Sequence, residues 1–508
     1  MLDSNLMKKT IHCLLIALIG MLGFSSCKKD LNKSPISGYA ESNFWKEPAQ
    51  VSAALSGAYL RLQSTLNTEF SYYGEGRADL LTLVQENNVS SIALIKNRLD
   101  ANLGFTDWGA FYRVINQANL IIKNVKRMNE EGLYFNKTTE YNRVLGQALG
   151  LRALCYFYMT RVWGNVPLIT EPTTNNGDIN SFKLPRTDTL EIYKQVSTDL
   201  VQARALLPVS YSDVQSTRAM LTRGGIDALM TDYYMWRNNI DSALITSKRV
   251  TDNTTQYRLS TLANPAINYF NLPQADIDNT EYASMFINGF SQESIFEIAY
   301  SYEENTTSGL LTLFAGGTGV AQFFASFDFV SSFTGNDLRA LINFKNEVQI
   351  FKHFPKGSFD RTTDNDKNVI LYRLADIMLL RAEALVAKGD NTGAFALLKQ
   401  IRERAYGPLS TVSVPNPNND AVNGPTGSVE RARFIALNKR DAQSTILDER
   451  KKELCFEGKR WYDLVRTGRA IEVMGPINGL NTKENILWPI NLNIIRQNPL
   501  IEQNNFYK

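Results

Sequence analysis

A chain of 508 residues with 54 Lys and Arg against 51 Asp and Glu is nearly neutral, at a formal +3. No long Lys/Arg block supplies the basic footprint of a nucleic-acid binder, so no nucleic-acid partner is expected. Two histidines and four cysteines are too few for a zinc centre built on several imidazoles or for a disulfide-built fold.

The first element is a leader. Lys8 and Lys9 precede an apolar run from Ile11 to Phe24, followed by Ser25-Ser26-Cys27. A short positive segment, an apolar core and small residues before the cut describe a secretion signal. The run is too short to cross a bilayer comfortably. Cys27 directly after the small residues resembles a bacterial lipobox, with Phe24 where an aliphatic residue is usual. Residues 1–26 then form a lipoprotein signal peptide, Cys27 is the lipidated first residue, and 27–46 form a tether. An ordinary secretion signal with an incidental cysteine is the alternative. Removing 1–26 leaves 482 residues, 52 basic and 50 acidic, enough for a large core.

Helical spacing begins at Glu47–Leu62, through Val51, Ala54, Leu55, Ala58, Tyr59 and Leu62. It returns over 106–127 and again over about 140–161. A capping box, Asp188 with Glu191, opens a helix over 188–206. Residues 218–249 read as two helices joined by a short turn. From 251 to 360 Asn, Thr, Gly, Ser and scattered aromatics dominate, with short strands such as Ile295-Phe296-Glu297-Ile298, and the stretch reads as a loop-rich insertion. Leu371, Leu374, Ala375, Met378, Ala382 and Leu385 form a further helical stripe. Lys388-Gly389-Asp390 breaks it, and Ala394, Leu397, Leu398 and Ile401 start another. Such a hairpin resembles a tetratricopeptide pair, whose apolar face only a stacked neighbour can bury. Residues 407–430 read as a surface loop, and a last long helix is expected over 445–466. The expected class is an all-α core of tetratricopeptide-like helical pairs with a loop-rich, partly irregular ligand-binding region. Its parts are 47–250, 251–360 and 361–508.

The chemistry is sparse. After processing, His353 is the sole histidine, so a Ser-His-Asp or Cys-His arrangement would have to use it; no nucleophile motif surrounds a serine. Neither GxGxxG, a Walker-type loop nor EF-hand spacing occurs. No catalytic residue, cofactor or metal ligand is assigned. Cys155 and Cys455 sit in apolar helical patterns and read as buried thiols rather than a bridge. Arg152, Arg161, Arg381, Glu383 and the alternating charges Glu449, Arg450, Glu453, Glu457, Arg460 and Arg466 read as partners within and between helices.

Several separated segments carry a resemblance. They are Phe44-Trp45 after the Cys27 region; WGAFYRVINQAN from Trp108; GQALGLRALCYFYMTRVWGNVPL from Gly146; YRLADIMLLRAEA from Tyr372; ERKKELCFEGKRWYDLVR from Glu449; and LWPI with NPLIEQN near the end. Together they resemble the SusD/RagB family of outer-membrane nutrient-binding lipoproteins of Bacteroidetes. The resemblance implies four tetratricopeptide-like pairs, a loop-rich binding surface and an oligosaccharide ligand. It also implies a TonB-dependent, SusC-like outer-membrane transporter as partner, and attachment to the membrane by a lipid anchor, facing the cell exterior. Asn491 stands where the family's tail usually has a second proline, and Lys28-Lys29-Asp30 where exported relatives often carry an acidic cluster.

Sugar binding needs flat apolar faces for the rings and polar groups for the hydroxyls. The stretch Tyr72-Tyr73-Gly-Glu75-Gly-Arg77-Ala-Asp79 combines two aromatics, three charges and two glycines, and is the first candidate site. Phe323, Phe324 and Phe327 form the second, with a short strand burying one face as the alternative. The expected function is binding and delivery, not catalysis. The alternatives are peptide cargo on the same fold, or a glycoside hydrolase with a carboxylate pair.

Overall fold

The computed structural model describes residues 44–173, 183–262, 274–315, 321–333, 337–357, 359–360, 362–406 and 442–508. Cys27, the tether before residue 44 and the 407–430 loop lie outside them. The chain divides into a short unit, Met1–Gln50, and a large one, Val51–Lys508. In the short unit the rings of Phe44 and Trp45 meet edge to face at 4.8 Å, and Gln50 Oε1 accepts the Lys46 and Glu47 N–H groups.

Helices dominate the large unit. α1 (Pro48–Thr65) buries Val51, Ala54, Leu55, Ala58 and Leu62, the stripe its spacing predicts. After α2 (Glu69–Gly74), β1 (Leu81–Leu83) and α3 (Val89–Ile95) come the long helices α4 (Gly109–Glu130) and α5 (Thr138–Trp163). α5 is buried on every side from Val144 to Trp163, between α4 and α6 (Thr189–Leu206). A helix buried all round must pair its polar side chains internally. Arg152 meets both carboxylate oxygens of Asp199 on α6 at 2.8 Å and Asn119 of α4 at 2.9 Å. Arg161 reaches Asp232 at 3.1 Å, its guanidinium lying over the rings of Phe157 and Tyr462 at 4.0 and 3.9 Å. Asp188 caps α6 at the Leu190 N–H, while Glu191 pairs with Lys194 instead of completing the box.

Next follow α7 (Val214–Ala219) and the hairpin of α8 (Arg223–Trp236) with α9 (Ile240–Thr251), closed by Thr231 against Thr246 at 2.9 Å. The stretch 251–360 holds short elements: α10 (Gln274–Asp278), α11 (Glu281–Ile287), β2 (Ser294–Ile298), β3 (Phe323–Ala325), α12 (Phe327–Ser331), α13 (Arg339–Asn343), β4 (Phe344–Lys345) and β5 (Gln349–Ile350). Tyr282, Phe286, Leu338 and Ile342 from these elements share a small core with Ile370 further along the chain. The chain ends with β6 (Val369–Arg373), α14 (Leu374–Ala387), α15 (Asn391–Tyr406), α16 (Ala442–Glu453), α17 (Arg460–Arg466), α18 (Ala470–Asn478) and α19 (Leu492–Gln497). Among the described residues the sheets are three antiparallel pairs: β1 with β3, β2 with β6, β4 with β5. Arg381 of α14 donates to the Leu244 carbonyl of α9 at 2.9 Å, and Glu383 holds Arg466 of α17 through both oxygens.

Two elements differ from the sequence reading. The stripe expected to begin as a helix at Leu371 begins as β6, all five residues buried against β2; a short apolar run has the same pattern in a buried strand as in a helical turn. The helix expected over 445–466 is α16 and α17 separated by a turn in which Phe456 and Gly458 have φ of 65° and 70°. That turn is held from outside. Glu75 Oε1 accepts the N–H groups of Glu457 and Gly458 at 3.0 Å, and Lys352 Nζ donates to the carbonyls of Glu453 and Cys455 at 2.9 and 3.0 Å. These peptide groups must be satisfied because the turn is buried.

Around the turn lies a buried ionic network. Arg373 binds Glu293, Glu453 and Glu457 at 2.6–2.7 Å. Arg404 joins Glu293 and Glu453, Arg339 joins Asp337, Glu449 and Glu453, Arg402 joins Glu449, and Lys352 joins Glu457. Five cations thus face five carboxylates. Burial alone would raise Glu453, but Arg404, Arg373 and Arg339 hold it well below the usual carboxylate range. Cys455 beside the network and Cys155 in α5 are buried free thiols. His353, pushed down to about 4 by burial and by Lys352, is a neutral ring stacked on Phe314 with Nε2 3.1 Å from the Phe456 carbonyl.

Glu75 is the sixth carboxyl, and among the described residues the network has no sixth cation for it. Burial first, with Glu457 adding to it, pushes it up to about 8, and its Oε2 has no hydrogen-bond partner among the described residues. Folding therefore favours the protonated form. The stability this contributes is full below the unfolded value of 4.5 and is lost as pH rises through about 8. Glu75→Gln keeps the acceptor oxygen and has no proton to lose. Denaturant melts at pH 5 to 9 should show a flatter profile for the variant than for the natural protein; parallel profiles would contradict a protonated Glu75.

Candidate functional site

The first sequence candidate, 72–79, lies inside the framework, and its expected place on a ligand-facing loop is corrected here. Tyr73 is 2% exposed, donates to the Phe105 carbonyl at 2.9 Å and meets Trp163 and Trp488 edge-on. Glu75 binds the 457–458 turn, as above. Arg77 donates to Asn97 and to the carbonyls of Asn485 and Ile486, lies 4.5 Å over the Trp461 ring, and is lowered to about 10 by burial. Burial would raise Asp79, but Arg460 and Lys451 hold it down at about 2. Gly74 is a matter of contact, not of flexibility: a Cβ there would sit 1.9 Å from the Gly458 carbonyl oxygen. Two aromatics, three charges and two glycines are what a buried crossing of two backbones needs, as well as what a sugar site needs.

The rigid segment then delivers β1 to the surface. Tyr72, 8% exposed, donates to Gln322 Oε1 at 2.8 Å, and Ser326 Oγ donates to the Asp79 carbonyl at 2.9 Å, so both ends of β3 are tied to 72–79. Alternation along the strands does the rest. Phe323 and Ala325 are fully buried, Phe323 edge-on to Tyr72, while Phe324 pairs with exposed Thr82 and is half-buried. Phe327 opens α12 behind its Ser326 cap and is 69% exposed. The second candidate therefore splits: Phe323 belongs to the core, whereas Phe324 and Phe327 present ring surface to solvent.

Where the chain leaves β1 and enters β3 there is a cleft of about 190 Å³ lined by Gln85, Asn87, Asn88, Ala321 and Gln322. Among the described residues its polar side chains are four amides. Asn88 Oδ1 caps α3 at the Ser91 N–H at 3.0 Å, and Asn87 Nδ2 donates to Gln85 Oε1 at 2.8 Å. Sequence reasoning missed these residues. The signal was present in the polar run Gln85-Glu86-Asn87-Asn88 between an apolar strand and a capped helix, but its partner Gln322 is remote in the chain. Among the described residues no group of three or more His, Cys, Asp or Glu could hold a metal ion. The cleft has the inventory of a hydroxyl-binding surface, uncharged donors and acceptors, and the same strand pair carries half-buried Phe324 and leads to exposed Phe327.

A family model described as "SusD family" matches residues 331–507, and one described as "Starch-binding associating with outer membrane" matches 31–222. SusD-like protein P38 of Formosa agariphila is 30% identical over 550 residues, covering 98% of this chain and 99% of the relative. The chain belongs to the SusD family. A SusD superfamily protein from Bacteroides thetaiotaomicron VPI-5482 shares the fold at a TM-score of 0.70, with 24% identity over 91% of this chain and 99% of that one. A laminarin-binding SusD-like protein is 20% identical at 0.69, covering 91% and 100% of the two chains, and NanU of B. fragilis is 22% identical at 0.69, covering 94% and 100%. In this SusD-family chain four of the segments that carry the resemblance fall on α4, α5, β6 with α14, and α16 with α17. These are the helices and pairings that build the frame.

Proposed function

We propose that this protein is a lipid-anchored outer-membrane lipoprotein that captures oligosaccharide from outside the cell and hands it to a TonB-dependent transporter. The observation that carries the reading is the amide-lined cleft at the Gln322 end of β3, on the same strand pair that leaves ring surface of Phe324, and of Phe327 beyond its other end, to solvent. Amides satisfy hydroxyls in both directions, and exposed rings offer the flat face that a pyranose covers, with burial of apolar area driving the contact. Support comes from the family description naming starch binding and the outer membrane, and from a relative of this fold that binds laminarin. Binding and delivery require no covalent step, and no catalytic residue is assigned. Membrane attachment is assigned to acyl chains on Cys27, at roughly 0.8 kcal/mol per buried CH₂.

Two measurements test this. Calorimetry against a polysaccharide panel should detect binding, and Phe327→Ala should weaken it about 3- to 10-fold, the worth of one stacked ring. The variant's melting temperature should not move, because the side chain is largely in water. A panel without binding, or products shortened by the protein, would contradict the role. Cys27→Ala should move the protein from the membrane fraction to the soluble one; a variant that stays with the membrane would refute the anchor.

A further inference from the structure

A second cleft, of about 240 Å³, is lined from α1, α2 and the start of α4 and shares no lining residue with the amide cleft. Its aromatic lining is Tyr73, Phe105 and Phe111, all buried. Its charged lining is Glu69, Asp107 and Arg113. Charges of both signs thus line one cavity, yet among the described residues none of the three is in an ion pair. Both carboxylates are oriented by local donors. The Thr68 N–H and hydroxyl donate to Glu69 Oε2 at 3.1 Å, and Asp107 Oδ1 takes the Gly109 N–H at 2.6 Å. The phenols within electrostatic reach of Glu69 are engaged elsewhere: Tyr72 with Gln322, Tyr73 with the Phe105 carbonyl, Tyr300 with the Gln63 carbonyl. Burial raises the Glu69 carboxyl, as it must for a partly dry acid without a cation. The network around Arg373 shows the opposite pattern, its cations each paired with carboxylates.

We infer that this cleft is a second ligand site, for a protonated primary amine, with Glu69 and Asp107 as its counter-charges and Arg113 as donor to an oxygen of the same ligand. It does not depend on the glycan-binding role proposed above. Two carboxylates against one guanidinium leave the lining with an excess of negative charge. An ammonium group carries three donors and no acceptor, so carboxylate oxygens are the partners it needs. Charge-assisted bonds of this kind are the strong ones, and the buried aromatic side chains lower the dielectric in which they act. A neutral hydroxyl gains less here, because it brings no charge to offset the desolvation of Glu69. An anion would meet Arg113 together with two carboxylates of its own sign. An amino sugar and a peptide N-terminus both carry the required amine with an oxygen nearby.

The test is calorimetry on the full-length protein at about pH 6, where peptide amines are protonated. Probes come in pairs that differ by acetylation of the nitrogen: glucosamine and N-acetylglucosamine oligosaccharides, tetraglycine and N-acetyl-tetraglycine. At least one free amine should bind at least about 10-fold more tightly than its acetylated twin, the worth of a charge-assisted bond. The pair that shows the difference identifies the source, sugar or peptide. Glu69→Gln and Asp107→Asn keep the acceptors for the Thr68 and Gly109 N–H groups, so melting temperatures should hold. Each variant should nevertheless lose about 10-fold in affinity for the amine. Phe327→Ala should leave amine binding unchanged, which separates this site from the glycan face. Acetylated probes binding as tightly as the free amines would overturn the inference. So would undiminished amine binding in both carboxylate variants, or its loss in Phe327→Ala. Failure of both free amines to bind would overturn it as well, and leave the glycan-binding role standing.

Discussion

The structure hangs on the buried pairing of Arg373 with Glu293, Glu453 and Glu457. Arg373 ends β6, Glu293 precedes β2, Glu453 ends α16 and Glu457 lies in the turn before α17, so one guanidinium ties the inserted stretch to the helical pairs. Fully buried charges are costly unless each is paired, and removing one partner of such a set typically costs about 3–5 kcal/mol. Around Arg373 every cation has its carboxylates, and the surplus carboxyl, Glu75, keeps its proton. The network is therefore a constraint on geometry more than a source of stability. Its pairs join β2, β6, α15, α16 and the 454–459 turn.

That constraint reaches the surface through 72–80. Glu75 and Gly74 lock this segment onto the turn, Arg77 and Asp79 lock it onto the chain's last third, and Tyr72 and Asp79 then hold the two ends of β3. The proposed binding face lies one step beyond, on side chains that the frame positions and leaves at least partly exposed. Rigid support beneath a few exposed rings and amides suits recognition, since little ordering remains to be done when a ligand arrives.

Much of the fold was legible in the sequence because long amphipathic helices state their period plainly. α1, α4, α5, α6 and the α8–α9 and α14–α15 hairpins lie where the spacing put them, and Arg152 and Arg161 have the inter-helical partners expected of charges in an apolar helix. What failed to show was set by contacts distant in the chain. Leu371 reads as the start of a helix until β2 is placed beside it. The turn inside 445–466 exists because Glu75 and Lys352 supply the hydrogen bonds a helix would otherwise make for itself. Tyr73, Glu75, Arg77 and Asp79 were misplaced for the same reason: aromatics and charges near glycines have one composition whether they meet a sugar or a second backbone. The amides at 85–88 and Gln322 acquire meaning only when β1 and β3 pair.

Hydrogen–deuterium exchange, with and without a glycan that calorimetry shows to bind, tests the account most directly. It predicts that bound glycan slows exchange in 82–89 and 321–329. Segments 72–79 and 449–460 should already be protected in the free protein, and unchanged. New protection centred on 72–79, with 82–89 and 321–329 untouched, would contradict it.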